Sequence, residues 1–279
     1  MVALKLLKPQ LTETVAFRAH CLTAVNRLSG CRHPNICSVF GIHEFNKSYL
    51  IVTEYLEGAT LRELIKPGPL DNHTFLNIAA QIADGLKYAH ERLVTHGNIK
   101  PSNVMVTGDG QVKIMDFGLA CFHDTDEATG VEPSLERFSY LAPEQITGEP
   151  VTQLADFFSL GALFYELLTD RRPFTGDTQE TVETSILHDK PDFQTLRAKK
   201  IPGDTILMIE KLLAKNPLER FSSADELSIT LKAMRSFERE SATRKFLQVK
   251  PRTARQYLFI SLLAFLLVVL WYVVTTYRN

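Results

Sequence analysis

The stretch VTHGNIKPSN, residues 94–103, is the one whose reading decides the fold. It is polar, holds a glycine and a proline, and follows a long segment with helical spacing, so it reads as a loop at a helix end. Lys100 and Asn103 are placed as an ammonium for a phosphate and an amide oxygen for a metal ion would be. Asn98 stands two residues before the lysine, where chemistry on a hydroxyl would want a base. Its carboxamide accepts a hydrogen bond but has no ionisable proton acceptor. The stretch holds most of an active site and raises the question whether the site works.

Upstream, TFLNIAAQIADGLKYAHERL (74–93) is the clearest helix, with Phe75, Ile78, Ala79, Ile82, Leu86 and Ala89 on one face. Downstream, NVMVTGDGQVKIM (103–115) reads as two short strands joined across TGDGQ. Asp116 ends the second strand and is followed by Phe117 and Gly118. VTQLADFFSLGALFYELLT (151–169) is almost wholly apolar, which places it at the centre of the molecule. Towards the N-terminus, VALKLL (2–7) reads as a strand carrying Lys5. LTETVAFRAHCLTAVNRLSG (11–30) has helix spacing and a plausible glycine C-cap. YLIVTEYL (49–56) reads as a buried strand. After Pro173 the pattern is helical to about Glu238. Strands first and helices later predict an α+β chain with a small sheet-bearing lobe and a larger helical lobe.

In order and spacing these motifs resemble the eukaryotic-type protein kinase family, in the branch that bacteria use for Ser/Thr kinases. The resemblance covers residues 2 to about 236. VALK looks like the strand with the phosphate-pairing lysine, Lys5. HPNI (33–36) looks like the lead-in to the next strand. VTEYLEG looks like the hinge that binds adenine, with Thr53 as gatekeeper and Glu54 to Leu56 in the hinge. HGNIKPSN resembles the catalytic loop, MDFG the metal-binding motif, LAPEQ the end of the activation segment, and DFFSLG a helix start in the large lobe. The resemblance implies nucleotide contacts from Lys5, Thr53, Glu54, Leu56 and Met105, and metal ligation by Asn103 and Asp116. It implies structural roles for His96, Phe117, Gly118, Glu144, Asp156 and Arg220, with Arg220 pairing Glu144. Lys100 and Asn98 fall at the catalytic positions.

The departures from the family pattern are as informative. Asn98 replaces the catalytic aspartate, and general-base help is worth about 10²–10⁴-fold. Gly97 replaces the arginine that reads a phosphorylated activation loop. Arg137 stands where the threonine that supports the aspartate belongs. In the helix of 11–30, Cys21, or less favourably His20, falls where a glutamate should pair with the lysine, which leaves Lys5 with no evident partner. The chain begins at Met1, immediately before Val2, so the glycine-rich loop and the strands before it are either lacking or lie upstream of a wrongly placed start. The groups that hold the fold are retained, and the losses fall on the base, its supporters and the phosphate lid.

The totals fit a globular protein that does not seek nucleic acid: 279 residues, 23% charged, net charge -1. Four cysteines without a C-x-x-C pair read as thiols in a reducing compartment. The exception is YLFISLLAFLLVVLWYVVTTY (257–277), uncharged from end to end, which at 1.5 Å per residue spans about 31 Å, one hydrocarbon core. Arg244, Lys245, Lys250, Arg252 and Arg255 precede it, so the positive-inside rule places residues 1–256 in the cytoplasm and the C-terminus across the membrane. The expected organisation is a partial small lobe (1–56), a helical lobe (57–238), a basic juxtamembrane linker (239–256) and one transmembrane helix (257–277). The expected function is a membrane-tethered pseudokinase that binds or regulates a protein partner, with Mg-ATP held weakly or not at all. The alternative is a low-activity Ser/Thr kinase acting on a protein substrate.

Overall fold

The computed structural model describes residues 1–7, 32–45, 48–117 and 135–247, with the single positions 23, 27 and 29. The chain divides into two units, residues 1–235 and 236–279. Strands β1 (Val2–Leu7), β2 (Val39–Phe45) and β3 (Ser48–Glu54) form an antiparallel sheet in the order β1-β3-β2. Val39 pairs Thr53 and Gly41 pairs Val52, so Phe40 is bulged out of the ladder and is exposed. Along β1, Val2, Leu4 and Leu6 face outward, while Ala3 and Lys5 are turned inward.

A second small sheet, β4 (Gly58–Thr60), β5 (Val104–Thr107) and β6 (Val112–Ile114), lies on the helical part. The β5–β6 hairpin is the one that the TGDGQ turn predicts. The HPNI stretch, just before β2, is tied to the β5–β6 hairpin. Asn35 accepts from the Ile114 amide at 3.0 Å and donates to the Val112 carbonyl at 2.9 Å, and the Cys37 amide donates to the Ile114 carbonyl at 2.8 Å. Gly85 permits this approach, because a Cβ there would meet Ile114 Cδ1 at 2.9 Å and the Asn35 carbonyl at 3.0 Å.

The helices are α1 (Leu61–Leu64), α2 (Asn72–His90), α3 (Leu135–Phe138), α4 (Pro143–Thr147), α5 (Gln153–Thr169), α6 (Gln179–His188), α7 (Phe193–Ala198), α8 (Gly203–Leu212) and α9 (Ala224–Leu247). Helix α2 starts where Asp71 caps the Thr74 amide at 3.0 Å, and its apolar face packs on α5, with Phe75 edge-on to Phe164. Helix α5 is buried from Ala155 to Thr169, as its all-round apolar sequence requires. Burying a side chain such as Phe157 or Phe164 contributes about 1.5–3 kcal/mol.

The structure differs from the sequence reading in one boundary. Helix α9 runs to Leu247, so the stretch expected to be linker from 239 is helical in its first half. The physical reason is composition: the segment from Glu238 to Leu247 has no Gly or Pro and is rich in helix formers. Among the described residues no helix is long and apolar enough to cross a membrane. The expected span 257–277, Gly118, and the expected helix of 11–30 with Cys21 and His20, apart from the single positions 23, 27 and 29, lie outside the described residues.

Candidate active site

The site is built from β1, the end of β3, the loop after α2 and the end of β6. Its foundation is Asp156, wholly buried in the first turn of α5. Its carboxylate accepts from the His96 amide at 2.9 Å, the Gly97 amide at 2.7 Å and His90 Nε2 at 2.8 Å. Burial pushes the Asp156 carboxyl up, but these hydrogen bonds, together with the charges of His90 and His96, outweigh it and hold the pKa below the usual value. The loop is therefore hung by its backbone from the central helix. Gly97 takes φ 74, the left-handed region in which a glycine sits without strain.

His96 is completely buried, packs its ring at a tilt of 58° against Phe117 with centroids 4.6 Å apart, and bonds the Met115 carbonyl through Nε2 at 2.8 Å. Burial lowers its pKa below 6.5, against the opposing pull of Asp156. Its Nδ1 accepts from the Asn98 amide at 3.1 Å, which turns the chain toward Ile99 and Lys100. Asn103 Nδ2 donates to the Asn98 carbonyl at 2.9 Å, and the Met115 amide donates to the Asn103 carbonyl at 2.9 Å. His96, Asn98, Asn103, Met115 and Phe117 thus form one hydrogen-bonded and packed unit.

Sequence reasoning leaves Lys5 without a partner, and the structure corrects this. Lys5 Nζ lies 2.7 Å from Asp116 Oδ2, so the phosphate-position cation and the metal-position carboxylate hold each other. Asp116 takes a left-handed backbone (φ 61), which Asp tolerates better than most residues. The family pattern puts the partner on the helix of 11–30, and sequence spacing gives no sign of a contact across 111 positions. A divalent cation fits the donor set. Because its Nδ2 is committed to the Asn98 carbonyl, Asn103 leaves Oδ1 as an acceptor, and Asp116 offers a carboxylate. One carboxylate and one amide oxygen suit Mg²⁺, which keeps waters and takes phosphate oxygens for the rest.

Beside this pair lies a cavity of about 220 Å³. It is lined by Ala3, Cys37, Ile51, Thr53, Met105 and Met115 among others, with the Glu54–Leu56 segment along it and Asp116 and Phe117 at its border. The expected nucleotide residues Thr53, Glu54, Leu56 and Met105 all line it, and Lys5 joins it through Asp116. Glu54 is held by the Ser38 amide and by the buried Lys113, each at 3.1 Å from its Oε2. Burial acts to raise the Glu54 carboxyl, but these contacts outweigh it and lower the pKa. Neither partner was singled out in the sequence. Cys37, also unanticipated, is a buried thiol whose pKa is pushed up to about 11, first by burial and then by the charge of Glu54.

Two further contacts close the frame. Arg220, wholly buried, grips Glu144 with two nitrogens at 2.7 and 2.8 Å, which is the expected pairing. Gln145 accepts from the Ala142 amide at 2.9 Å and donates to the Gly97 carbonyl at 3.2 Å, joining the LAPEQ segment to the loop. The Asn98 side chain, like His90 Nδ1, is an exception to this saturation. Its Nδ2 is shielded from water and makes no hydrogen bond among the described residues.

A family model described as the protein kinase domain matches residues 1–230. The chain is 33% identical over 246 residues to the serine/threonine-protein kinase PknD of Mycobacterium tuberculosis, covering 87% of this chain and 37% of that protein. It is 32% identical over 232 residues to PrkC of Bacillus subtilis, covering 83% and 36%. The chain thus spans little more than a third of the length of these relatives. Among solved structures it is similar to Rad53 in complex with AMP-PNP, with TM-score 0.67, 28% identity, and coverage of 81% of this chain and 56% of that one. The PknI kinase domain of Mycobacterium tuberculosis shares the fold, with TM-score 0.66, 24% identity, and coverage of 83% and 85%.

Proposed function

The chain belongs to the protein kinase family, in the bacterial branch of its eukaryotic-type Ser/Thr members, and from that membership we propose that it works as a pseudokinase, a binding or regulatory module in which phosphotransfer has been lost or nearly lost. The observation that carries this reading is Asn98. The loop around it is intact, with Asp156, His96 and Asn103 in place, yet the residue at the base position is a carboxamide. Loss of a general base costs about 10²–10⁴-fold in rate. The Lys5–Asp116 pair supports the same reading, because Mg-ATP has to separate two groups that neutralise each other. Mg-ATP held weakly through Lys5, Asn103 and Asp116, with the base in the cavity, is the cofactor chemistry that fits. Lys100 then faces the phosphate end.

The uncharged segment 257–277 and the cations before it support a single membrane span, with the kinase-like domain on the cytoplasmic side and a protein as partner. The test is transfer of the γ-phosphate from Mg-ATP to a generic basic protein by the purified full chain, beside Asp116→Ala and Asn98→Asp. Background transfer by the parent is expected. Transfer that Asp116→Ala abolishes would establish the alternative, a low-activity Ser/Thr kinase with Asn98 tolerated.

A further inference from the structure

We infer that the outer edge of β1 pairs with β1 of a second copy of this chain, so that two small lobes share one continuous antiparallel sheet about a two-fold axis. The inference stands on the sheet alone and is independent of whether the site moves phosphate.

The sheet order β1-β3-β2 puts β1 at an edge. Among the described residues β1 pairs with β3 alone, from Val2 opposite Glu54 to Leu7 opposite Tyr49. The amides and carbonyls that alternate residues of β1 turn away from β3 therefore meet no strand among those residues. Folded proteins blunt such edges, and the opposite edge of this sheet is blunted. The β2 ladder is broken by the bulge at Phe40, whose carbonyl accepts from Ser29 Oγ at 3.5 Å, and β2 carries the exposed Glu44. Strand β1 has neither a bulge nor a proline. Its one charge, Lys5, is turned inward and answered by Asp116 at 2.7 Å. On the outer face Val2, Leu4 and Leu6 are 49%, 63% and 60% exposed. They extend an apolar surface that begins on β3, where Leu4 lies opposite Val52 and Leu6 opposite Leu50.

The order of the side chains names the occupant. Two antiparallel copies of VALKLL related by a two-fold axis perpendicular to the sheet keep the same face outward, so residues opposite each other must share a face. A slip of one residue would set Leu4 against Lys5 and turn the apolar set inward, which excludes it. The register centred on Leu4 sets Leu4 against Leu4, Val2 against Leu6, and Ala3 against Lys5. All three exposed apolar side chains then meet apolar partners, and each ammonium lies across from a methyl group while it keeps Asp116. Centred on Lys5, the strands would bring two ammonium groups face to face, which is unfavourable. Centred on Ala3, they would leave Leu6 uncovered. The strand is self-complementary in one register, and a second copy supplies that partner with no further sequence. Side chains directly opposite stand about 4.5–5.5 Å apart at Cβ, so the two Leu4 side chains cover each other.

The test uses the full chain in detergent, with its mass read by sedimentation velocity at micromolar concentration. The parent should be a dimer. Leu4→Lys and Leu4→Glu each set like charges opposite one another and should raise the dimer dissociation constant about tenfold or more. Both should melt as the parent does, because Leu4 is exposed. Mixing the two variants should restore the dimer, since a lysine then faces a glutamate. As a second measurement, a short bis-maleimide should join Leu4→Cys chains in pairs. Leu207→Cys, on helix α8 and also 63% exposed, should give only the parent's background. A monomeric parent overturns the inference. A dimer that survives both charge substitutions overturns it too, because the contact then lies elsewhere in the chain. A mixture that stays monomeric overturns the register and the inference with it. Should either charge variant unfold, the Leu4→Cys cross-link decides alone.

Discussion

Replacing Asp156 by alanine tests how the loop is held. The carboxylate is fully buried and takes three donors, the His90 ring and the His96 and Gly97 amides, at 2.7 to 2.9 Å. Alanine leaves all three without an acceptor. Each orphaned buried donor costs about 1–3 kcal/mol, and the three are not additive because one water in the vacated space could serve two of them. The expected loss is about 3–5 kcal/mol, a large share of the ~5–15 kcal/mol that stabilises a domain. For a domain of this size that lowers the melting temperature by ~6–20 °C. Thermal unfolding followed by circular dichroism reads it, with Ser159→Ala as comparison. Ser159 Oγ shares its one proton between the Tyr140 carbonyl at 2.7 Å and the Ala155 carbonyl at 3.3 Å, and its loss should cost about 1 kcal/mol. Equal melting of Asp156→Ala and Ser159→Ala would refute the reasoning, because it would mean the loop is not hung from α5 through this carboxylate.

Three other outcomes follow from the same structure. Arg220→Met strands the buried Glu144 carboxylate and should cost about 3–5 kcal/mol in urea unfolding, with Glu144→Gln/Arg220→Met recovering part of it. His96 and His33 both have pKa values lowered chiefly by burial, so the unfolded chain binds more protons below its histidine pKa near 6.5. Their contribution is complete above that value and is lost as pH falls. The urea midpoint should drop between pH 7 and pH 5, and His96→Gln should flatten the slope. Cys37, with its thiol pushed up to about 11, should resist a maleimide at pH 8 in the folded chain and react in urea. Rapid labelling of Cys37 in the folded chain would contradict the burial.

The sequence carried the architecture further than the site. The periodicity of residues 74–93 and the all-round apolarity of 151–169 are physical signatures, and helices α2 and α5 lie there. The TGDGQ turn located the β5–β6 hairpin. Within the site, Thr53, Glu54, Leu56 and Met105 come together around one cavity because motif order fixes strand order. What stayed illegible are contacts set by tertiary geometry. Lys5 finds Asp116, Glu54 finds Lys113, and Gln145 finds the Gly97 carbonyl, pairs 48 to 111 residues apart with no periodic signal between them. Helix α9 overran its expected end because a charged, glycine-free stretch reads equally well as linker or as exposed helix.

The central claim is that this site no longer moves phosphate. Intact-mass measurement of the full chain after prolonged incubation with Mg-ATP tests it most directly, because self-phosphorylation needs no guess at a substrate. The account predicts an unchanged mass for the parent. A parent chain heavier by one or more phosphoryl groups, with Asp116→Ala unchanged in parallel, would contradict it.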